Sequence, residues 1–217
     1  MDAYNAIVGF FQSGGLFMYP IVVVLALGLT IAVERYIYLT LAKSSNRRVW
    51  NKLKPLLQEG KYPQVAVITG KSGAAISHIF NYGLSRARTS RRRDDVEIAM
   101  EEGLMETVPN LEKRTQYLAT FANIATLLGL LGTIVGLIQA FTAVAAANPA
   151  EKADMLSASI SVAMNTTAFG LMVAIPLLLM YAVLQTKTTQ LVDSLEMAAV
   201  KFLNGLAEKP LDGARAG

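Results

Sequence analysis

Residues 127–141 read LLGLLGTIVGLIQAF and residues 159–176 read SISVAMNTTAFGLMVAIP. They sit inside two uncharged stretches, Gln116–Ala147 and Met155–Thr186, joined by a short polar turn. A hydrocarbon core needs about 20 predominantly apolar residues as helix, so each stretch is long enough to cross a bilayer. Both also carry hydroxyls, glycines and amides at depths where lipid tolerates them poorly. Neither holds a carboxylate. If these helices border an ion path, the group that takes up and releases the ion must come from elsewhere.

Leu16–Val33 is a third uncharged apolar run, and its character resumes after Glu34-Arg35 as far as Ala42. A composition of 53% hydrophobic residues with mean hydropathy +0.40 is too apolar for an ordinary soluble domain. No Lys or Arg precedes the first run, so it lacks the basic region of a cleaved signal and reads as a retained span. Fourteen of the 20 Lys and Arg lie between Lys43 and Arg114. One, Lys152, lies in the second connection, and four follow Thr186. The positive-inside rule therefore places the N-terminus outside and the C-terminus in the cytoplasm.

The expected organisation is all-α, an integral membrane protein with three transmembrane helices and long cytoplasmic helical extensions. Residues 1–15 hold a short interfacial helix over 2–12, followed by Ser13-Gly14-Gly15. Spans follow at 16–42, 116–147 and 155–186. A helical cytoplasmic region covers 43–115, a periplasmic turn covers 148–154, and a helix and tail cover 187–217. Within the cytoplasmic region the periodicity gives pieces over 45–59, 63–68 and 74–88, punctuated by Gly60, Gly70 and Gly73. Asp94-x-x-Glu97 reads as a capping box. With Pro109 the one strong breaker, the helix from Asp94 to Ala147 is expected to run unbroken for roughly 80 Å. Asn148-Pro149-Ala150-Glu151 reads as the start of the last helix, which continues beyond the membrane until Pro210.

On a helical projection Gly129, Gly132 and Gly136 fall beside the stripe of Asn123, Thr126 and Thr133. Gly132-x-x-x-Gly136 is a small-xxx-small pair, and Gly170 lies on a matching stripe with Ala163, Thr167 and Ala174. These glycines are expected to pack helix against helix. Taken singly, each threonine is explained by a bond to its own helix. Asn165, Thr166 and Thr167 are three consecutive polar residues that point in three directions at membrane depth, more than packing requires. They and Thr133 are the candidate ion-path residues. Threonine and asparagine supply oxygens but do not titrate, and Glu34, Glu151 and Asp154 sit at the membrane edges. A working path therefore implies a partner helix with a carboxylate.

Residues 129–141 and 166–176 together (GLLGTIVGLIQAF, TTAFGLMVAIP) resemble the MotA/TolQ/ExbB proton channel family. Gly14-Gly15-x-x-Met18-x-Pro20 and Glu34-Arg35 resemble its ExbB/TolQ branch. The resemblance implies a homopentamer in a bacterial inner membrane that encloses an ExbD/TolR-like single-span partner with a transmembrane Asp. Ion flow would then drive work on the envelope, as in biopolymer transport or Tol-Pal function. Thr133 and Thr167 match the family's pore threonines by motif position. Where ExbB and TolQ members commonly carry a Glu, this chain has Val162. Proton coupling is the expectation, and sodium coupling is the alternative that extra hydroxyls would suit. Stators for gliding or other motility, and a non-conducting scaffold, are the other readings.

The remaining features point away from other classes. No Cys and a single His78 leave no thiolate or His-rich metal site, and the embedded part offers no acid–base or nucleophile–base pair for an enzyme. No cofactor or metal is expected. Arg86, Arg88 and Arg91–Arg93 lack interleaved aromatics, so they read as topology charge and not as a nucleic-acid surface. His78 reads as a packing or surface residue; Trp50 as a membrane anchor or a packing residue.

Overall fold

The computed structural model describes residues 15–90, 92–146 and 148–208. The interfacial helix expected over 2–12 and the tail from Pro210 lie outside them. The described residues form six helices and no strand: α1 (Met18–Glu59), α2 (Tyr62–Gly70), α3 (Ala75–Thr89), α4 (Arg93–Glu112), α5 (Gln116–Ala146) and α6 (Lys152–Glu208). Three helices, α1, α5 and α6, are long and apolar enough to cross a membrane. An all-helical chain of this kind fits an integral membrane protein.

Several boundaries differ from the expectation. The piece expected over 45–59 is not separate, because α1 runs unbroken from Met18 to Glu59. Nothing between Ala42 and Ser45 can stop a helix: there is no Gly or Pro there, and one Ser pair does not outweigh the flanking turns. The stop comes at Gly60, whose φ of 75° is open to glycine. Its N–H donates to Leu57 O (3.2 Å) and the Lys61 N–H to Leu56 O (2.9 Å). That pair of bonds is a Schellman cap.

The capping box at Asp94-x-x-Glu97 is not formed. Helix α4 starts earlier, from Arg92 in extended conformation, and places Asp94 and Asp95 in its first turn. Carboxylates there still favour the N-terminal end of the helix dipole. Ser90 does the local tying instead, donating from Oγ to Asp95 Oδ2 (2.5 Å) and accepting the Arg92 N–H (3.3 Å). Likewise α6 begins at Lys152, after a turn in which the Glu151 N–H donates to Asn148 O (3.0 Å).

The expected 80 Å helix from Asp94 is in fact two. Helix α4 ends at Glu112, Lys113 is extended (φ −45°, ψ 135°) and Arg114 has φ 66°. A left-handed residue cannot continue a right-handed helix. Pro109, inside the last turn of α4, has already removed one backbone donor. An unbroken helix would bring the Thr115 N–H to Leu111 O; here that carbonyl accepts from the Arg35 guanidinium.

The chain divides into two compact units. The first comprises residues 1–34 and 114–183 and contains the start of α1, α5 and most of α6's apolar part. Its interior is small: Ala122, Ala125, Ala140, Ala163 and Ala174 are all buried, with Met18, Ile21 and Leu177. Its outer surface is apolar, with Leu127, Met164 and Leu179 each more than 60% exposed. Water would penalise such a surface, whereas lipid solvates it.

The second unit comprises residues 35–113 and 184–217. Here large side chains fill the core: Phe80 lies 4.9 Å from Phe202 between ring centroids, and Tyr62 and Trp50 meet this pair edge-on at 6.1 and 6.3 Å. Trp50 is thus a core-edge residue of this unit. Burial, and then Glu208, raise the pKa of Tyr62.

Candidate functional site

The α5–α6 contact of the first unit holds most of the candidate residues. The helices are antiparallel, and close approach is set by residues without side chains. A Cβ on Gly129 would lie 3.2 Å from Thr167 Cα and 3.3 Å from Gly170 Cα. On Gly170 it would lie 2.7 Å from Ala125 O and 3.1 Å from Gly129 Cα. On Gly136 it would meet Ala163 Cβ at 3.0 Å, and on Gly132 it would collide with the Thr166 side chain. All four glycines therefore lie in one seam, at partners that step backward along α6 as α5 advances. Only small residues let backbones come this close.

The hydroxyls divide in a way the projection did not separate. Thr126, Thr133 and Thr142 each donate to a carbonyl of their own helix: Ala122 O (3.1 Å), Leu130 O (2.6 Å) and Ile138 O (2.8 Å). Thr166 donates to Val162 O (3.0 Å) and is 2% exposed. Its methyl fills the space that Gly132 leaves. Thr166 therefore belongs to the packed seam and does not share a face with the other hydroxyls. Thr167 bonds across the pair, from Oγ1 to Gly129 O at 2.8 Å. Thr133 and Asn165 are partly exposed, on flanks of the seam. The structure brings Thr167 and the four glycines together, sets Thr133 and Asn165 beside them, and buries Thr166.

No charged residue lies in α5 or between Met155 and Thr186. The nearest carboxylate of α1, Glu34, pairs with Arg114 at 3.4 Å. Among the described residues no cluster of His, Cys, Asp or Glu could hold a metal ion. The chemistry of the seam is that of neutral oxygen ligands beside close-packed backbones. Neutral oxygens of this kind cannot bind and release a proton by themselves.

Two features were not legible in the sequence. Arg35, in the sequence only half of the Glu34-Arg35 motif, is 2% exposed, stacks over Tyr38 (4.6 Å to the ring centroid) and holds the carbonyl at the end of α4. Arg114 was expected inside the unbroken helix from Asp94, yet with φ 66° it turns the chain between α4 and α5. Neither has a local sequence signal, since both depend on a segment some 75 to 80 residues away.

The fold and seam define a multi-pass membrane protein whose embedded helices are packed through glycine and lined with threonine. The chain belongs to the MotA/TolQ/ExbB proton channel family, whose family model matches residues 71–197. Its relatives place it in the ExbB/TolQ branch. It is 28% identical over 199 residues to a putative biopolymer transport protein ExbB homolog of Methanothermobacter thermautotrophicus, covering 91% of this chain and 69% of that one. It is 36% identical over 83 residues to the Tol-Pal system protein TolQ of Haemophilus influenzae, covering 38% and 36%. It is 49% identical over 53 residues to the biopolymer transport protein exbB1 of Vibrio cholerae, covering 24% and 23%. The family is one of channels and transport proteins and not a known enzyme family.

Proposed function

We propose that this chain is the channel-ring subunit of an ion-driven motor in a bacterial inner membrane. Five copies enclose a single-span, ExbD/TolR-like partner, and proton flow past the partner's Asp does mechanical work on the envelope, in biopolymer transport or a Tol-Pal type process. Spans lie at 16–42, 116–147 and 155–186. Residues 43–115 and 187–217 face the cytoplasm, and residues 1–15 and 148–154 the periplasm. The observation that carries the reading is the carboxylate-free seam that holds Thr167, with Thr133 on its flank; the motif resemblance makes these two the pore threonines. Such a seam supplies oxygens for an ion in transit and leaves the titrating group to a partner.

The test is flux in proteoliposomes containing this chain and its single-span partner, measured separately under pH and sodium gradients. Thr133→Val and Thr167→Val keep shape and remove an oxygen. Each is expected to slow flux about tenfold, as loss of one ligand worth ~1.4 kcal/mol at the barrier would. Unchanged flux in both variants sinks the assignment, as does flux that survives replacement of the partner's Asp by Asn. A sodium-dependent signal without a proton signal would reassign the ion.

A second reading, a scaffold that holds a partner helix without conducting, is favoured by the local satisfaction of most of the hydroxyls. It predicts partner binding with no flux at all.

A further inference from the structure

In the second unit a groove of about 670 Å³ runs between α4 and the last part of α6. Its floor is apolar, including Leu104, Met105, Val108 and Val200. Met105 is 74% exposed and Val200 53%, in the unit whose core is otherwise closed by aromatic rings. Its rim carries Glu97, Glu101 and Glu196. No hydrogen bond or ion pair engages these three carboxylates among the described residues. The cations nearest in sequence are committed elsewhere: Arg93 donates to Asn204 Oδ1 (3.1 Å), and Lys201 lies over the Trp50 ring (5.9 Å). The result is an acidic, apolar trough on a chain whose formal net charge is +4.

We propose that this groove binds an amphipathic helical segment of a partner protein, with Lys or Arg flanking a single apolar stripe. The chemistry of the rim sets the sign of the partner, because three unpaired carboxylates repel an acidic occupant and attract ammonium or guanidinium groups. The length follows from α4: lining residues extend from Glu97 to Pro109, about 18 Å at 1.5 Å per residue. That accommodates roughly three turns of a partner helix, with apolar anchors at i, i+4 and i+7 or i+8. Exposed methionine suits such a groove, because its flexible thioether adapts to the anchor it meets. The inference is independent of ion conduction, since it rests on residues of the second unit alone.

The test uses the full chain in neutral nanodiscs and two fluorescein-labelled synthetic helices of 14 residues, one of Leu and Lys, the other of Leu and Glu. The Leu/Lys helix is expected to bind saturably and more weakly as salt rises; the Leu/Glu helix is not expected to bind. The triple variant Glu97→Gln, Glu101→Gln, Glu196→Gln should weaken binding about tenfold, from modest contributions of three exposed charges. A control with Glu102→Gln and Glu112→Gln, off the groove, should bind as the parent does. If the triple variant does not fold, a photo-crosslinker at Val200 keeps all carboxylates in place and should label the Leu/Lys helix. Equal binding by parent and triple variant overturns the proposal, as does equal binding of both helices. Crosslinks from Val200 only to another copy of the chain would make the groove a subunit interface, and tighter binding after deletion of 209–217 would make the chain's own tail the occupant. Either result also overturns it.

Discussion

Replacing Gly170 by Ala tests the packed seam with one methyl group. The added Cβ would stand 2.7 Å from Ala125 O, 3.1 Å from Gly129 Cα and 3.4 Å from Gly129 N. All three neighbours are backbone atoms of α5, so none can rotate away. The helices must separate by several tenths of an ångström, which also stretches the Thr167 hydroxyl bond to Gly129 O. Overpacking of this kind costs typically 1–3 kcal/mol, and an interhelical bond in a membrane averages about 0.6 kcal/mol, so a loss of about 2–3 kcal/mol is expected. Gly136→Ala meets the side chain of Ala163 at 3.0 Å, with backbone no nearer than 3.4 Å, and should cost about half as much. Gly70→Ala meets nothing within 4 Å and should be neutral or stabilising by up to ~1 kcal/mol, through reduced backbone entropy of the unfolded chain. The assay is reversible unfolding of the purified chain in mixed micelles as denaturing detergent is raised, followed by far-ultraviolet circular dichroism. Gly170→Ala within about 0.5 kcal/mol of the parent, or a Gly70→Ala loss equal to it, would refute the reasoning.

Three further outcomes are expected. Arg35→Met should destabilise the chain by about 1.5–3 kcal/mol, because the carbonyl of Leu111 loses a charged donor in a buried place, and Arg35→Lys should recover only part of it; denaturant midpoints check both. Tyr82 donates its hydroxyl to Glu106 Oε2 at 2.7 Å, and this bond, then the Glu106 charge, raises its pKa above the ordinary 10.0. Its stabilising contribution is therefore complete below about pH 10 and lost as pH rises through the raised value; in Glu106→Gln the phenolate absorbance should appear at lower pH. Arg114, at φ 66°, should accept glycine at a change of about 1 kcal/mol or less, while Arg114→Val should cost more than that, in the same unfolding assay.

Long uncharged runs, the basic segment and the motif pair made the helical class, the membrane habit and the family legible before any coordinates. These are properties of composition and of local spacing. The glycine seam was legible for the same reason, because a 3.6-residue period places Gly129, Gly132 and Gly136 on neighbouring stripes whatever they meet. Helix ends were less legible. Asp94 and Asn148 carry good cap signals, yet the neighbouring turns offered competing bonds from Ser90 and Glu151 that shifted both starts.

What the sequence determined by itself is the solvent each segment requires and the absence of any titrating group inside α5 and the apolar part of α6. Apolar transfer and charge burial are set residue by residue, so they need no knowledge of neighbours. Only the tertiary structure decided which hydroxyl bridges and which is buried: Thr166 and Thr167 are adjacent in sequence, but one turns into the Gly132 gap and the other reaches the Gly129 carbonyl. It also decided where the long middle helix breaks, because Arg114 and the carbonyl of Leu111 are held by residues of α1 that lie far off along the chain. Directions of side chains and satisfaction of backbone groups depend on what is opposite, and that is settled only when the helices pack.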